Sequence, residues 1–183
     1  AVAVVVDGVL ADLGGAGVDA LTGSDGDDTF IGGDNLDTLT GGAGDDTYLF
    51  SKASVDAVDI VDVAGNDTIS TSGLGNSNLS KIKIDGGASG GAWNTIENLV
   101  LDADHQAIVY ASQVAGQALA INADAAGGLF STSLYIYMLD IGSADFSNMS
   151  FDAAAGVDFT LANGRTRIQG DNDPETIVGT SIL

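Results

Sequence analysis

The chain has 183 residues and a lopsided charge, 26 acidic residues against five basic, for a net −21 at pH 7. That balance leaves no basic patch to neutralise phosphates, which argues against nucleic acid and anionic membrane surfaces as partners. Cysteine is absent, which removes disulfides and thiolate metal sites, and no apolar run approaches the roughly 18 residues of a membrane-spanning helix.

Hydrophobic residues still make up 45 % of the chain, enough to build a core. Of the acids, 24 are Asp and two are Glu, Glu97 and Glu175. A solvated acidic helix surface would use Glu, the better helix former. Asp belongs in turns and in tight oxygen cages around a cation.

The opening AVAVVV reads as a strand, being too short and without the basic leader of a targeting segment; the alternative is a frayed terminus. From residue 14 the chain repeats every nine residues without a slip: GGAGVDALT (14–22), GSDGDDTFI (23–31), GGDNLDTLT (32–40) and GGAGDDTYL (41–49). Asp19, Asp28, Asp37 and Asp46 stand at position six of each unit, and Leu21, Phe30, Leu39 and Tyr48 at position eight. Each unit is therefore a six-residue turn followed by three strand residues whose middle side chain is large and apolar. Glycines let the turn visit positive φ and bring backbone carbonyls together. A three-residue strand is unstable alone, so successive coils must stack to bury position eight. With two units per coil, unit one stacks on unit three and unit two on unit four, placing Asp19 over Asp37 and Asp28 over Asp46.

Such stacking needs a cation. Strands lie about 4.8 Å apart, and two carboxylates at roughly 5 Å repel by about 3 kcal/mol at an effective dielectric near 20. Ca²⁺ suits the turns best, because it accepts six to eight oxygens, backbone carbonyls included, in loose geometry. Mg²⁺ demands a stricter octahedron, and zinc would want His or Cys, which this stretch lacks. The candidate ligands are Asp19, Asp28, Asp37 and Asp46, the further turn acids Asp25, Asp27, Asp34 and Asp45, and the turn residues Gly14, Ala16, Gly23, Gly32, Gly33, Gly42 and Gly44.

These four units resemble the RTX (repeats-in-toxin) family, whose nonapeptide is G-G-x-G-x-D-x-U-x. Units one and four match every fixed position, unit two has Ser24 for the second Gly, and unit three has Asn35 for the third, a swap tolerated because Asn also enters left-handed conformations. The resemblance implies a right-handed parallel β-roll with calcium between turns, in a bacterial protein exported by type I secretion. It covers 36 of the 183 residues.

Downstream, VDVAGNDTIS (61–70) keeps Gly65, Asp67 and Ile69 in phase but has lost the leading glycines, and TIENLVL (95–101) is also in family style. Strands are expected at 58–63, 67–71, 81–85 and 95–101, with one wet face on KIKID. Residues 106–123 admit strand–turn–strand or a short helix over YASQVA; the β-like flanks favour the former. LFSTSLYIYMLDI (129–141) reads as a buried strand. Near the end, Gly164, Ile168, Gly170, Glu175 and Ile177 echo the nonapeptide phase, a degenerate return to the roll. The expected organisation is a leading strand in 1–13, a calcium β-roll in 14–50, a less regular β-rich solenoid or sandwich-like region in 51–160, and the start of a further roll in 161–183. The fold class is all-β, a parallel β-solenoid. Neither end reads as a solenoid cap, so the sequence predicts a fragment of a longer chain or ends covered by a neighbour.

No catalytic constellation is expected. His105, the only His, sits near Asp102, Asp104 and Glu97 and reads as a surface turn residue. H-E-x-x-H does not occur. Trp93 in GGAWNTI reads as packing under a Gly-rich loop rather than as a sugar platform. Lys81 with Lys83, and Arg165 with Arg167, read as solvated strand faces that guard an edge. The leading expectation is a calcium-folded structural module of a bacterial surface protein (surface layer, matrix or fibre), assembling with copies of itself or adjoining domains outside the cell. The alternatives are the non-catalytic tail of a secreted lipase, metalloprotease or epimerase, and a ligand-binding adhesin domain.

Overall fold

A computed structural model describes residues 3–5, 14–50, 58–71, 77–84, 86, 91–101, 106–123, 133–138, 143–151, 165–170 and 176–178. His105, Asp102 and Asp104 lie outside them, as do Gly164 and Glu175. Every strand pairing in this set is parallel. The chain coils, laying each strand beside the one it made a coil earlier.

Two sheets form the repeat region. One runs, in spatial order, through Ala3–Val5, Ala20–Thr22, Thr38–Thr40, Asp59–Val61 and Lys83–Ile84. The other runs through Thr29–Phe30, Thr47–Leu49, Thr68–Thr71, Asn98–Leu101, Ala120–Ala123 and Ser150–Phe151. Unit one thus stacks on unit three, with Leu21 opposite Leu39, and unit two on unit four, with Phe30 opposite Tyr48. The opening strand joins the roll, Val4 opposite Leu21.

Position eight faces inward throughout. Leu21, Phe30, Leu39, Tyr48, Ile60 and Ile69 are all at most 1 % exposed. The flanking Thr residues are half-buried in most units, giving the alternation expected of a sheet with one dry face. Phe30 and Tyr48 stack with ring centroids 5.3 Å apart and planes 14° off parallel, an arrangement that adds about 0.5–1.5 kcal/mol to their burial.

The coil then widens. The chain distance between equivalent residues of the second sheet grows from 18 to 21 and then 30 residues. The added length makes a third side, a sheet of Ser77–Asn78, Gln106–Tyr110, Ser133–Met138 and Arg165–Gly170. A two-stranded sheet pairs Ser143–Asp145 with Thr176–Val178. The two repeat sheets continue through this change without a break. The core continues with them, through Trp93, Leu99, Val109, Ile121 and Ile136.

Several expectations are refined. The strand in KIKID is confined to Lys83–Ile84; Ile82 and Ile84 are buried, Lys81 exposed and Lys83 half-buried, so the wet face is there but the strand is shorter. Residues 106–123 combine both readings: a strand at Gln106–Tyr110, one helical turn at Ala111–Val114, and a strand at Ala120–Ala123. The buried Gln113 holds that turn, its Oε1 accepting from Tyr110 N–H at 2.7 Å and its Nε2 donating to the Leu79 carbonyl at 3.0 Å. Trp93 is fully buried, as the packing reading requires.

Candidate metal centre

The turns are built by residues that only a turn of this shape requires. Position two is left-handed in units one, three and four (Gly15 φ 76°, Gly33 φ 89°, Gly42 φ 117°), and position four of unit three, Asn35, has φ 81°. Asn thus substitutes for glycine where the sequence reading places the swap. Stacked turns are also joined backbone to backbone. Asp34 N–H donates to the Gly15 carbonyl at 2.7 Å, and Ala43 N–H to the Ser24 carbonyl at 3.3 Å.

The position-six aspartates stack as the spacing predicts. Asp19, Asp28, Asp37 and Asp46 are all buried, at most 6 % exposed. On one flank Asp19 N–H donates to Asp37 Oδ1 at 3.0 Å. On the other, Asp28 N–H donates to Asp46 Oδ1 at 2.8 Å. Each carboxylate is thereby aimed at the turn before it. In unit two the second carboxylate oxygen is engaged within its own turn, Asp28 Oδ2 accepting from Ser24 N–H at 2.8 Å.

The second flank continues past the repeats. Asp46 N–H donates to Asp67 Oδ1 at 2.8 Å, and Asp67 N–H to Glu97 Oε2 at 2.9 Å. Residues 62–70 are therefore a fifth turn in register, with Ala64 bridged to Ala43 and Thr68 opposite Thr47. The first flank stops sooner. Asp59 N–H donates to the Asp37 carbonyl, so the place after Asp37 is taken by Val58, which is buried.

The remaining candidate residues divide by position. Asp27 and Asp45 form an outer ladder: Asp45 N–H donates to Asp27 Oδ1, and Asn66 N–H to Asp45 Oδ1, both at 2.9 Å. Asp25 and Asp34 are exposed on the turns. Gly14, Gly23, Gly33, Gly42 and Gly44 are half-buried, Gly32 is buried and Ala16 is exposed. Where turns stack, an added Cβ on Gly14 or Gly33 would strike the carbonyl of Gly32 or Gly15, which is how closely oxygen approaches here.

Two residues of this column escaped the sequence reading as ligand candidates, Asp67 and Glu97. Asp67 was legible as an in-phase acid. Glu97 was not, because 30 residues separate it from Asp67.

The acids crowd one another. Burial pushes Asp46 up to about 6; the charges of Asp62, Asp28 and Asp27 add to this, and the Asp28 N–H opposes it. Burial likewise pushes Asp67 up to about 7, helped by Asp62, Asp46 and Glu97 and opposed by the Asp46 N–H. Asp46 Oδ2 is buried without a hydrogen-bond partner. An orphaned buried carboxylate oxygen is unfavourable unless something cationic faces it. The donors are hard oxygens, and neither His nor Cys stands in the turns, so the residues present fit Ca²⁺.

Residues 13–48 match the family described as the RTX calcium-binding nonapeptide repeat, in four copies. Comparison with curated proteins and with solved structures returns no match. The matched stretch holds the four position-six aspartates and ends at Tyr48, while the stack itself continues to Asp67. Residues 13–48 thus match four RTX calcium-binding repeats, and their stacked acids fit Ca²⁺, the ion such repeats bind.

Proposed function

We propose that this chain is a structural module of a secreted bacterial protein, folded and stiffened by extracellular Ca²⁺ and without catalytic activity of its own. The observation that carries the reading is the stack of buried carboxylates, Asp28 over Asp46 over Asp67. In a chain of net charge −21 these groups make the compact state depend on bound cations. Where Ca²⁺ is scarce, as inside a cell, the coil is strained by its own charge. Where it is near 1 mM, the same acids become ligands. The ligands are the position-six aspartates, with the carbonyls of the turn glycines and the outer acids Asp27 and Asp45 completing the coordination.

Assembly into a layer or fibre is part of the proposal. Among the described residues, the strand Ala3–Val5 pairs on one side only, with Ala20–Thr22. A parallel sheet end presents unpaired backbone groups that another coil can continue. The burial of Trp93 removes the aromatic that a glycan-binding reading would have used.

The test is circular dichroism and hydrodynamic radius, measured metal-free and then through a Ca²⁺ titration. The expected result is an expanded chain that compacts and gains β signal at submillimolar to millimolar Ca²⁺. A metal-free chain already compact, and unchanged by the ion, would defeat the proposal.

A further inference from the structure

Position one of the nonapeptide is glycine in all four repeats, and the coil shows why. A Cβ on Gly41 would fall onto Asp46 Oδ2 and the Tyr48 hydroxyl. Position one therefore faces the carboxylate of its own turn, inside the coil. The fifth turn breaks the rule. Gly41 N–H donates to the Val61 carbonyl, so the following residue, Asp62, occupies position one of that turn. Its side chain lies inside, 2 % exposed.

There it meets two acids already present. One carboxylate oxygen from each of Asp46, Asp62 and Asp67 lies within 4.8 Å of the other two, and all three residues are buried. Each carboxylate accepts one hydrogen bond: Asp46 from Asp28 N–H, Asp67 from Asp46 N–H, and Asp62 Oδ2 from the Tyr48 hydroxyl at 2.5 Å. Asp46 Oδ2 and Asp62 Oδ1 are buried with no partner. Three buried charges with one donor apiece are far short of what their desolvation requires.

We propose that Asp46, Asp62 and Asp67 form a further Ca²⁺ site on the inner side of the step from the fourth turn to the fifth, beyond the matched repeats and sharing Asp46 with the last of them. The donors suit Ca²⁺: three carboxylates are hard oxygen ligands, and Ca²⁺ takes them in looser geometry than the near-ideal octahedron that Mg²⁺ demands. The Tyr48 hydroxyl fixes Asp62 from behind, leaving Oδ1 free to face the ion. The site joins the last matched repeat to the first coil of greater length, where the distance from Asp46 to Asp67 is 21 residues instead of 18. It acts as a clamp at the change from roll to three-sided helix. The loss of the leading glycine, which reads as decay of the repeat, is on this account the gain of a ligand.

The proposal rests on calcium binding by the chain but fails separately from it. Bound Ca²⁺ is counted by equilibrium dialysis on the full chain for wild type, Asp62→Asn, Asp62→Gly and, on the other flank, Asp37→Asn. Tb³⁺ emission excited through tyrosine is read in parallel, because Tyr48 touches Asp62 directly. Both Asp62 variants are expected to bind one ion fewer and to lose much of the emission. Asp37→Asn should lose ion but keep the tyrosine-sensitised emission. Asp62→Gly carries the residue that the four repeats carry at this position, so its fold is compatible with the roll. Wild-type stoichiometry and emission in both Asp62 variants would overturn the proposal while leaving the repeat sites standing. A wild-type chain that binds no Ca²⁺ would overturn both.

Discussion

The backbone N–H of Asp28 donates to the carboxylate of Asp46, 2.8 Å away and 18 residues along the chain. Each coil thereby turns its acid toward the coil before it, and the stack inherits the repulsion between neighbouring acids. This gives a variant with opposite effects in two conditions. Asp46→Asn keeps an acceptor for the Asp28 N–H and removes a charge. Metal-free, it should be more stable than wild type, up to the roughly 3 kcal/mol that two carboxylates about 5 Å apart repel at an effective dielectric near 20. In Ca²⁺ it should be less stable. A site with Kd about 0.1 mM contributes about 1.4 kcal/mol at about 1 mM ion. Thermal melts with and without Ca²⁺ check the crossing. The same direction of change in both conditions would refute it.

Proton uptake follows the same acids. Asp46 is raised to about 6 and Asp67 to about 7, against an ordinary Asp value near 3.9 in the unfolded chain. Between those values the folded chain binds more protons than the unfolded one, so stability falls as pH rises. The metal-free protein should therefore be more stable at about pH 5 than at about pH 7.5, with the penalty fully present above about 7. The calcium-loaded protein should behave oppositely, since protons compete with the ion for the same oxygens. Melts of metal-free protein across this range, and Ca²⁺ titrations at its two ends, read both slopes.

The repeat region was legible because a nine-residue period fixes everything that matters there: Asp at six aligns with Asp, and a large apolar residue at eight turns inward. Register over Thr29–Leu49 needs nothing from outside the repeat. Legibility ends where coil length changes. Glu97 caps the Asp28–Asp46–Asp67 column, yet no local pattern ties it to residues so far back along the chain. Val58 shows the converse, an apolar residue taking the place an aspartate held in the coil before, because that flank becomes core. The segment after Tyr110 was divided between helix and strand for a physical reason. Ala111 and Gln113 favour a helical turn, while the flanking Ile108 and Val109 pair with Tyr135 and Ile136 in a sheet.

Glycines in the turn differ in what they do, and substitution separates the roles. Gly15 has φ 76° with open space where a Cβ would sit. Gly15→Ala should cost only the left-handed backbone penalty, about 1–2 kcal/mol. At Gly41 the added methyl meets the Asp46 carboxylate and the Tyr48 hydroxyl. Overpacking of this kind costs about 1–3 kcal/mol, and it also displaces a ligand. Gly41→Ala should weaken the response to Ca²⁺, whereas Gly15→Ala should lower stability with the ion affinity of the Asp46 turn unchanged. Calorimetric titration of both variants distinguishes the two effects; equal affinities would refute the inward role of position one.

Gln113 provides the metal-independent comparison. It is fully buried, and it ties the helical turn to the coil before it: Oε1 takes the Tyr110 N–H, Nε2 reaches the Leu79 carbonyl, and its own carbonyl accepts from Trp93 N–H at 2.7 Å. Gln113→Leu keeps the volume but leaves the half-buried Tyr110 N–H without its acceptor, at about 1–3 kcal/mol; the Leu79 carbonyl keeps the Ile82 N–H at 3.1 Å. No aspartate of the calcium turns is among its partners. The loss should therefore be the same in the presence and absence of Ca²⁺, once each is compared with wild type under the same condition. Denaturant unfolding in both conditions reads the difference. A loss that appears only with the ion bound would mean that the wider coils are held by calcium as well as the repeats, and that the third side has no stability independent of the metal.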